Sequence, residues 1–343
     1  MKRRTDVVAH ATLAVAAALA VAGCTEPKKM TLTPVERSQL SVRALDLLLR
    51  GARSDIDIVR CNAMEALVEL APRQGLAEFR AAAQAQEPPV RFAAFVALGK
   101  VRDAGAAALI DVGLRDPEPR VRLAAAYAAA RLGGQNAAGV LVSALNEDRN
   151  VYHRADAAFL LGELGEPKAV PWLERAARLE DSHRVKVHIY AALAALGDRS
   201  AVGALLAFLR VDTESRLIAL QSLARLGHPD ARDTLLYELM DANEFLESRL
   251  IAARGLGVLG SRAGYALAAG NVHATYKDQQ DVNRTFRIRS LSAFALGDIG
   301  NGEALPLLHW LAANDTDERT QVAAAYAICK ITRGGGDLSA GSY

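Results

Sequence analysis

Residues 116–148 read DPEPRVRLAAAYAAARLGGQNAAGVLVSALNED, and this stretch contains one complete structural unit. Its apolar residues recur at spacings of three and four, first from Val121 to Leu132 and then from Ala137 to Leu145, which predicts two amphipathic helices. Asp and Pro residues at 116–119 are typical of a helix start, and Gly133-Gly134 is typical of a left-handed helix end. Neither helix can bury its apolar face alone, so the stretch predicts a helical hairpin that stacks on its neighbours.

The unit returns about every 31 residues, nine times along the chain. Every copy except the last has a basic residue near the start of its first helix, and these anchor positions are Arg60, Arg91, Arg122, Arg154, Lys186, Arg216, Arg249 and Arg289, with Gln321 in the ninth copy. In six copies a glycine follows eleven positions later, namely Gly133, Gly165, Gly197, Gly227, Gly260 and Gly300. A fixed period in this range is typical of stacked repeats, so we predict an all-α fold, an α-solenoid of about nine two-helix repeats.

The turns inside the copies, such as Gly165-Glu166-Pro167-Lys168-Ala169 and Gly227-His228-Pro229-Asp230-Ala231, resemble those of the HEAT-repeat superfamily. The likeness is greatest to the short bacterial form named after the phycobilisome lyases, and it covers residues 57–332. It implies an armadillo-like superhelix whose second helices line the concave face. The first two copies depart from the pattern, with Ala71 and Arg102 where glycine is expected. We expect a further helix, at about 34–50, to cap the open amino-terminal end.

The first residues have the features of an export signal. Lys2, Arg3 and Arg4 precede an apolar run at 11–22, which is too short to span a bilayer. The run ends in Val21-Ala22-Gly23-Cys24, which resembles the bacterial lipoprotein cleavage box. The resemblance implies cleavage before Cys24, attachment of palmitate and other acyl chains to it, and anchoring to a membrane. The alternative is an ordinary secretory signal that ends by chance at a cysteine.

These features divide the chain into four parts. Residues 1–23 are a predicted lipoprotein signal peptide, 24–33 the lipidated cysteine and a linker, 34–332 the solenoid, and 333–343 a disordered glycine-rich tail. Thr25 follows the cysteine where aspartate would favour the inner membrane, so in a cell with two membranes we expect the outer membrane, facing the periplasm. Loss of Lys2, Arg3, Arg4 and Asp6 with the signal lowers the formal net charge from +2 to zero, which disfavours nucleic acid as a partner.

Two cysteines remain in the solenoid, Cys61 in the first copy and Cys329 in the ninth. In an open array, eight helix-packing steps would separate them by far more than the roughly 7 Å that a disulfide allows between Cα atoms. We therefore expect both to be free, buried apolar residues.

No catalytic constellation is visible, so we predict a protein that is not an enzyme and needs no cofactor or metal. The six residues Gly255–Gly260 match a dinucleotide-binding pattern by letters, but they close a helix instead of opening one. His183 and His188 are five residues apart and lack a third ligand. The repeated basic residues, each preceded by an acidic residue, are expected to be structural. Analogy with the lyase group leaves a chromophore- or cofactor-lyase-like enzyme as the alternative.

Two features could bind a partner. The gap between Arg249 and Arg289 is 40 residues, and the extra material at 271–286 contains His273, Tyr276, Lys277 and Arg284. A tolerated surface excursion would explain the same insertion. In addition, equivalent positions of the second helices hold Arg175, Tyr237 and Trp310, residue types that dominate protein interfaces. Partial packing against neighbouring helices is the alternative for this column.

Together these observations predict a membrane-anchored, exported scaffold or adaptor in the cell envelope. It would bind another protein, of unknown identity, through its concave surface and without catalysis. A purely mechanical spacer, which needs no partner at all, is the third interpretation.

Overall fold

The computed structural model describes residues 32–277, 281 and 283–334, so Cys24 and residues 335–343 lie outside the described part of the chain. Within that part all regular structure is helical, as the repeat pattern predicts. Eighteen α-helices follow one another: α1 Pro34–Gly51, α2 Asp57–Leu70, α3 Leu76–Ala82, α4 Pro88–Lys100, α5 Ala107–Gly113, α6 Pro119–Arg131, α7 Ala137–Glu147, α8 Val151–Leu164, α9 Val170–Leu179, α10 His183–Ala195, α11 Arg199–Phe208, α12 Thr213–Leu226, α13 Arg232–Met240, α14 Leu246–Val258, α15 Tyr265–Asn271, α16 Arg284–Ile299, α17 Leu305–Asn314 and α18 Glu318–Gly334. The last helix runs two residues past the predicted end of the solenoid at 332.

The helices form two layers. Each even-numbered helix packs on the even-numbered helices before and after it, whereas the odd-numbered helices pack chiefly on even-numbered ones. Side chains of the even helices also bridge beyond their nearest neighbours. Glu163 of α8 lies 2.7 Å from the Lys100 Nζ of α4 and 2.6 Å from an Arg225 nitrogen of α12. Such bridges form only on the inner side of a curved array, so the even helices, the first of each repeat, are the inner layer.

Small residues let the inner helices approach closely. A Cβ atom added at Gly162 of α8 would lie 2.8 Å from the Cα of Ala192 on α10, and one at Gly297 of α16 would lie 2.8 Å from the Cα of Ala327 on α18. No side chain fits at such distances without moving a backbone. The six repeated glycines after the anchors all have positive φ, as predicted for left-handed helix ends, and Arg102 takes the same conformation without being glycine, at φ 52°.

The repeated arginines bond within the scaffold, as expected for structural residues. Arg91 donates to both carboxylate oxygens of Asp116 in the next inter-repeat turn, at 2.7 and 2.9 Å, and to the carbonyl oxygens of Ala85 and Gln86 in its own turn. Arg154 joins Glu180 to the carbonyl of Asp148 in the same manner. Burial raises the pKa of Asp116, but Arg91 and the Glu118 N–H outweigh burial and leave this pKa below its usual value.

The array is closed. The sequence predicted that helix α1 caps an open end, but it packs on α18, at the other end of the chain, as well as on the following helix α2. Cys329 of α18 contacts the Ser41 carbonyl, whereas a Cβ at Gly51 would meet the Val322 side chain, so α1 and α18 run antiparallel. Helix α18 packs on α2 as each inner helix packs on the next. Helix α1 is thus the outer partner of α18, and nine helix pairs complete a ring.

A polar network joins the two ends of the chain inside this ring. The Tyr326 hydroxyl of α18 lies 3.1 Å from oxygens of Glu69 on α2 and Asp298 on α16, and it accepts from Lys330 Nζ at 2.8 Å. Lys330 also pairs with Glu69 at 2.9 Å and with Asp298. Burial lowers the pKa of Lys330, but the Asp298 carboxylate outweighs it, so the pKa is raised and the ammonium stays charged.

Ring closure corrects the argument made from sequence for the cysteines. The first and last repeats are neighbours, so the assumed separation of Cys61 and Cys329 is wrong. Both thiols are nevertheless free. Cys329 is fully buried, whereas Cys61 is only half-buried and lies 3.7 Å from the Pro89 carbonyl oxygen.

Candidate partner-binding surface

The predicted column lies on the outer layer of the ring. Arg175 is on α9, Tyr237 on α13 and Trp310 on α17, and all three are exposed. Their predicted place on the concave face is wrong, because the first helices, not the second, form the inner layer. The side chains do point to solvent, with Tyr237 67% and Trp310 46% exposed.

Tyr237 belongs to an exposed apolar group that we call the repeat-six patch: Leu236, Tyr237, Met240 and Phe245. Leu236 and Met240 are one helical turn apart on α13, and Tyr237 stands beside both, so these three share one face. Phe245 caps the next inner helix, α14, across a short turn. Met240 and Phe245 are 70% and 69% exposed, which is a high solvent exposure for large apolar side chains.

The equivalent positions of repeat four are polar. Helix α9 carries Glu174, Arg175 and Arg178 at the positions of Leu236, Tyr237 and Met240, counted from the buried leucine of each helix, Leu173 or Leu235. The scaffold therefore does not require apolar residues there. The column pattern in the sequence includes Tyr237 alone. The signal for the rest of the patch was the apolar residues at outward positions one before and three after Tyr237.

The insertion is held at its start by the residues that follow it. The Arg289 side chain donates to the Ala274 carbonyl at 2.8 Å and to the Thr275 hydroxyl at 3.0 Å. The Thr285 hydroxyl accepts from the Tyr276 N–H at 2.8 Å and donates to the Tyr276 carbonyl at 3.2 Å. Residues 271–277 are thus fixed against α16, while 278–280 and 282 lie outside the described part of the chain.

The structure brings the insertion and the outer column together at one point. The His273 ring packs edge-on against Trp310, with centroids 4.6 Å apart. Beside this pair in sequence, Arg284 stacks on the Tyr276 ring at 4.5 Å, and Lys277 is exposed. Four of the five predicted residues in this region therefore form two aromatic contacts.

No metal site is found among the described residues, in which no three His, Cys, Asp or Glu side chains cluster suitably. His183 instead contacts Asp212, at 3.4 Å, and the Phe208 ring. Burial lowers the pKa of His188, which keeps that imidazole neutral near pH 7. Gly255 and Gly257 lie within α14 and Gly260 follows its end, so the dinucleotide-like letters do not form a phosphate-binding turn.

Among the described residues, two surface grooves are lined by residues of the structural ladder. One runs past Arg122 and Asp148 between α6 and α7, and the other past Arg154 and Glu180. The arginines are engaged with carbonyls or carboxylates of the scaffold. Of the helices in the described ranges, none is both long and apolar enough to cross a bilayer.

Comparison with known proteins agrees with this geometry. The family model described as HEAT repeats matches residues 45–130 and 138–218, just under half of the chain. These two segments are HEAT repeats. The helix pairs of residues 219–334 continue the same arrangement in the structure. No curated protein matches the sequence.

Several solved structures share the helical architecture at low similarity. One is the complex of CpcE and CpcF of phycocyanin lyase from Nostoc sp. PCC7120, with 20% identity, 76% of this chain and 94% of that chain covered, and a TM-score of 0.41. Another is human deoxyhypusine hydroxylase in complex with glycerol, with 19% identity, 78% and 99% covered, and a TM-score of 0.36. Likeness at this level carries no argument about activity.

Proposed function

We propose that the protein is a lipid-anchored, exported HEAT-repeat adaptor that binds another protein without catalysing a reaction. The observation that carries the proposal is the repeat-six patch, which places four large apolar side chains side by side in water on the outer layer. HEAT repeats supply a surface for protein interaction.

The energetics of the patch favour a protein partner. Burying one large apolar side chain contributes about 1.5–3 kcal/mol, so the four residues could supply much of the free energy of a micromolar complex. Tyrosine is enriched in interface hot spots, and the flexible thioether of methionine adapts to the shape of a partner. The aromatic contacts at Trp310 and Tyr276 supply a second region, two repeats farther along the ring.

The anchor is proposed from the sequence. Acyl chains on Cys24 would hold the ring at the surface of the cell envelope, and we place it on the periplasmic side of the outer membrane. Each buried CH₂ of an acyl chain contributes about 0.8 kcal/mol, so several chains give stable attachment. Replacement of Cys24 by Ser is expected to abolish palmitate incorporation and to release the protein from membrane fractions; unchanged labelling would contradict the anchor.

The adaptor function is tested by photo-crosslinking in intact cells. A photoreactive phenylalanine analogue at Tyr237 should give a discrete adduct with another protein, identified by mass spectrometry. The same analogue at Arg175, the matched position two repeats earlier, should not. Met240→Ala and Phe245→Ala, each introduced beside the probe, should weaken the adduct severalfold. Equal adducts at both positions, or an adduct indifferent to both alanine variants, would contradict the proposed surface.

A further inference from the structure

The ring has two edges with different chemistry. One edge carries the turns within the repeats, where each inner helix passes into its outer helix; we call it the turn edge. The other carries the turns between repeats, together with the arginine ladder and its carboxylates. A basic residue lies in, or directly after, six of the eight turns of the turn edge: Arg73, Arg102, Lys168, Arg199, Arg232 and Arg262. All six side chains are exposed.

These basic groups are largely free for an external partner. Lys168 pairs with Glu166 at 2.6 Å, but the five arginines form no ion pair with any residue in the described ranges. Two acids on the same edge have partners within the protein. Asp103 is buried and accepts two bonds from Arg80 at 2.7 Å, and Asp198 accepts the N–H of Ser200 at 2.8 Å. Asp230 is exposed and lies 3.6 Å from His228. The five arginines therefore present their positive charges to solvent.

The polypeptide enters the ring at this same edge. Helix α1 runs antiparallel to α18, so its first residues lie beside the intra-repeat turns; Arg37 lies about 3.5 Å from the position that a Cβ of Gly302 would occupy. The N-cap of α1 is Thr33, which accepts the Glu36 N–H. Thr33 is nine residues after Cys24, and at roughly 3.5 Å per residue this stretch spans at most about 32 Å. An anchor at Cys24 would thus keep the turn edge near the bilayer.

The opposite edge carries the ion-paired ladder. Its inter-repeat turns hold most of the ladder carboxylates, among them Glu87, Asp116, Asp148, Glu180 and Asp315. The Met240 and Phe245 end of the repeat-six patch and the insertion also lie toward that edge, because both follow the carboxyl ends of outer helices.

We propose that the turn edge docks on the anionic phospholipid headgroups of the membrane that holds Cys24. This inference rests on the proposed anchoring, and it assigns the basic turns as a lipid-facing surface. Basic side chains near an anionic bilayer gain about fivefold in partition per residue, and the gain is screened by salt. Docking orients the ring, with the turn edge toward the lipid and the end of the partner surface near Phe245 away from it.

The contribution of the basic residues to membrane binding is tested on the chain that starts at residue 24 and carries Cys24→Ser, so that acylation contributes nothing. It should co-sediment with vesicles of phosphatidylglycerol and phosphatidylcholine, but not with phosphatidylcholine alone, and 0.5 M salt should release it. The variant Arg73→Gln, Arg199→Gln, Arg232→Gln, Arg262→Gln should lose at least about a hundredfold in partition. The control Arg115→Gln, Arg149→Gln, Arg210→Gln, Lys277→Gln removes the same charge from the other edge and should bind as the parent does.

Equal loss in both variants, or equal binding to both kinds of vesicle, would overturn the assignment. The orientation is read separately with the acylated chain, labelled with a fluorophore at Arg199→Cys or Arg149→Cys and quenched by spin-labelled headgroups. Stronger quenching at 199 is expected; equal quenching would overturn docking even if the anchor is real. Failure of acylation with retained vesicle binding would instead contradict the anchor alone.

Discussion

Gly162 shows how a missing side chain sets the spacing of the inner helices. An added Cβ there would lie 2.8 Å from both Cα and Cβ of Ala192, so neighbouring helices must separate. Gly203 on the outer helix α11 has no atom within 4 Å of the same test position. Replacing glycine by alanine at both positions therefore tests the packing, with Gly203 as the unpacked control.

We expect Gly162→Ala to destabilise the ring by about 1–3 kcal/mol, the usual cost of overpacking. Gly203→Ala should stabilise it by about 0.5–1 kcal/mol, because alanine loses less backbone entropy in a helix. Thermal unfolding followed by circular dichroism measures both. A Gly162→Ala protein as stable as its parent would show that the inner helices are not in contact at this level.

The carboxylates of the ladder give the protein a defined sensitivity to acid. The pKa of Asp116 is lowered in the folded state because the Arg91 pair and the Glu118 N–H outweigh burial. A lowered folded pKa contributes stability above the unfolded value of about 3.9, and this contribution is lost as pH falls through the folded pKa. Glu180 behaves in the same way beside Arg154.

Unfolding should therefore be independent of these groups above about pH 5 and become easier progressively below about pH 4. Asp116→Asn should lower the melting temperature at pH 7 and flatten its fall on acidification. Glu147→Gln, an exposed acid beyond the ladder, should leave the pH profile unchanged. A profile for Asp116→Asn parallel to that of the parent would show that the Arg91 pair contributes no pH-dependent stability.

Much of each repeat could be predicted from sequence, because it depends on local spacing. The left-handed glycines and the ladder arginines follow from residues within one or two copies. The repeat period alone could not show that the first helices, not the second, form the inner layer, since both helices of a copy are amphipathic. A usable signal was present. Eight residues past seven of the nine anchors, the first helices have a residue small enough for them to approach each other: Gly99, Ala130, Gly162, Ala194, Ala224, Gly257 and Gly297.

Helix α1 was predicted to exist, but its partner was not. Its apolar stripe through Leu40, Ala44 and Leu48 is compatible with covering the open end of an array and equally with packing on α18. The choice depends on the rotation between successive repeats, summed over the whole chain, and no local pattern specifies that sum. The same limit applies to the repeat-six patch, since the sequence did not show which positions of α13 face solvent.

The packing of α1 on α18 can be tested through the thiol of Cys329. This side chain is fully buried beneath α1, and burial raises its pKa to about 11, so little thiolate forms at pH 8. With Cys24→Ser and Cys61→Ala in place, Cys329 should react with a disulfide reagent at least about a hundredfold more slowly than a free thiol. Gly51→Leu should accelerate the reaction, because its side chain would strike Val322 and lift α1. Val42→Asp, on the exposed face of the same helix, is the matched control. Equal reactivity of Cys329 in all three proteins would contradict the packing of α1 on α18.

The closed ring also relates the proposed activities to one another. The two ends of an open solenoid can move independently of each other. Here helix α1, which follows the proposed anchor, is itself part of the last repeat. A pull on Cys24 would act on α1, and the seam with α18 and α2 is held by the Glu69, Asp298, Tyr326 and Lys330 network. The closed ring therefore fixes the distance between the turn edge and the repeat-six patch. This suits an adaptor that holds a partner at a set distance from lipid.

If closure is complete, the position of the chain ends along the ring should matter little. The natural chain closes through the pair α18–α1. A circular permutant that begins at Gln135, joins Gly334 to Thr33 through a short glycine-serine linker and ends at Gly134 would close instead through α6–α7, in an exposed turn clear of the ladder. We expect it to fold with the same helix content and scattering radius, and to melt within a few degrees of the parent. Removal of residues 1–54, which deletes α1, should cost far more, because it uncovers α18 and α2. A permutant that is unfolded, or a truncated chain as stable as its parent, would mean that the pair α18–α1 is not equivalent to the other eight.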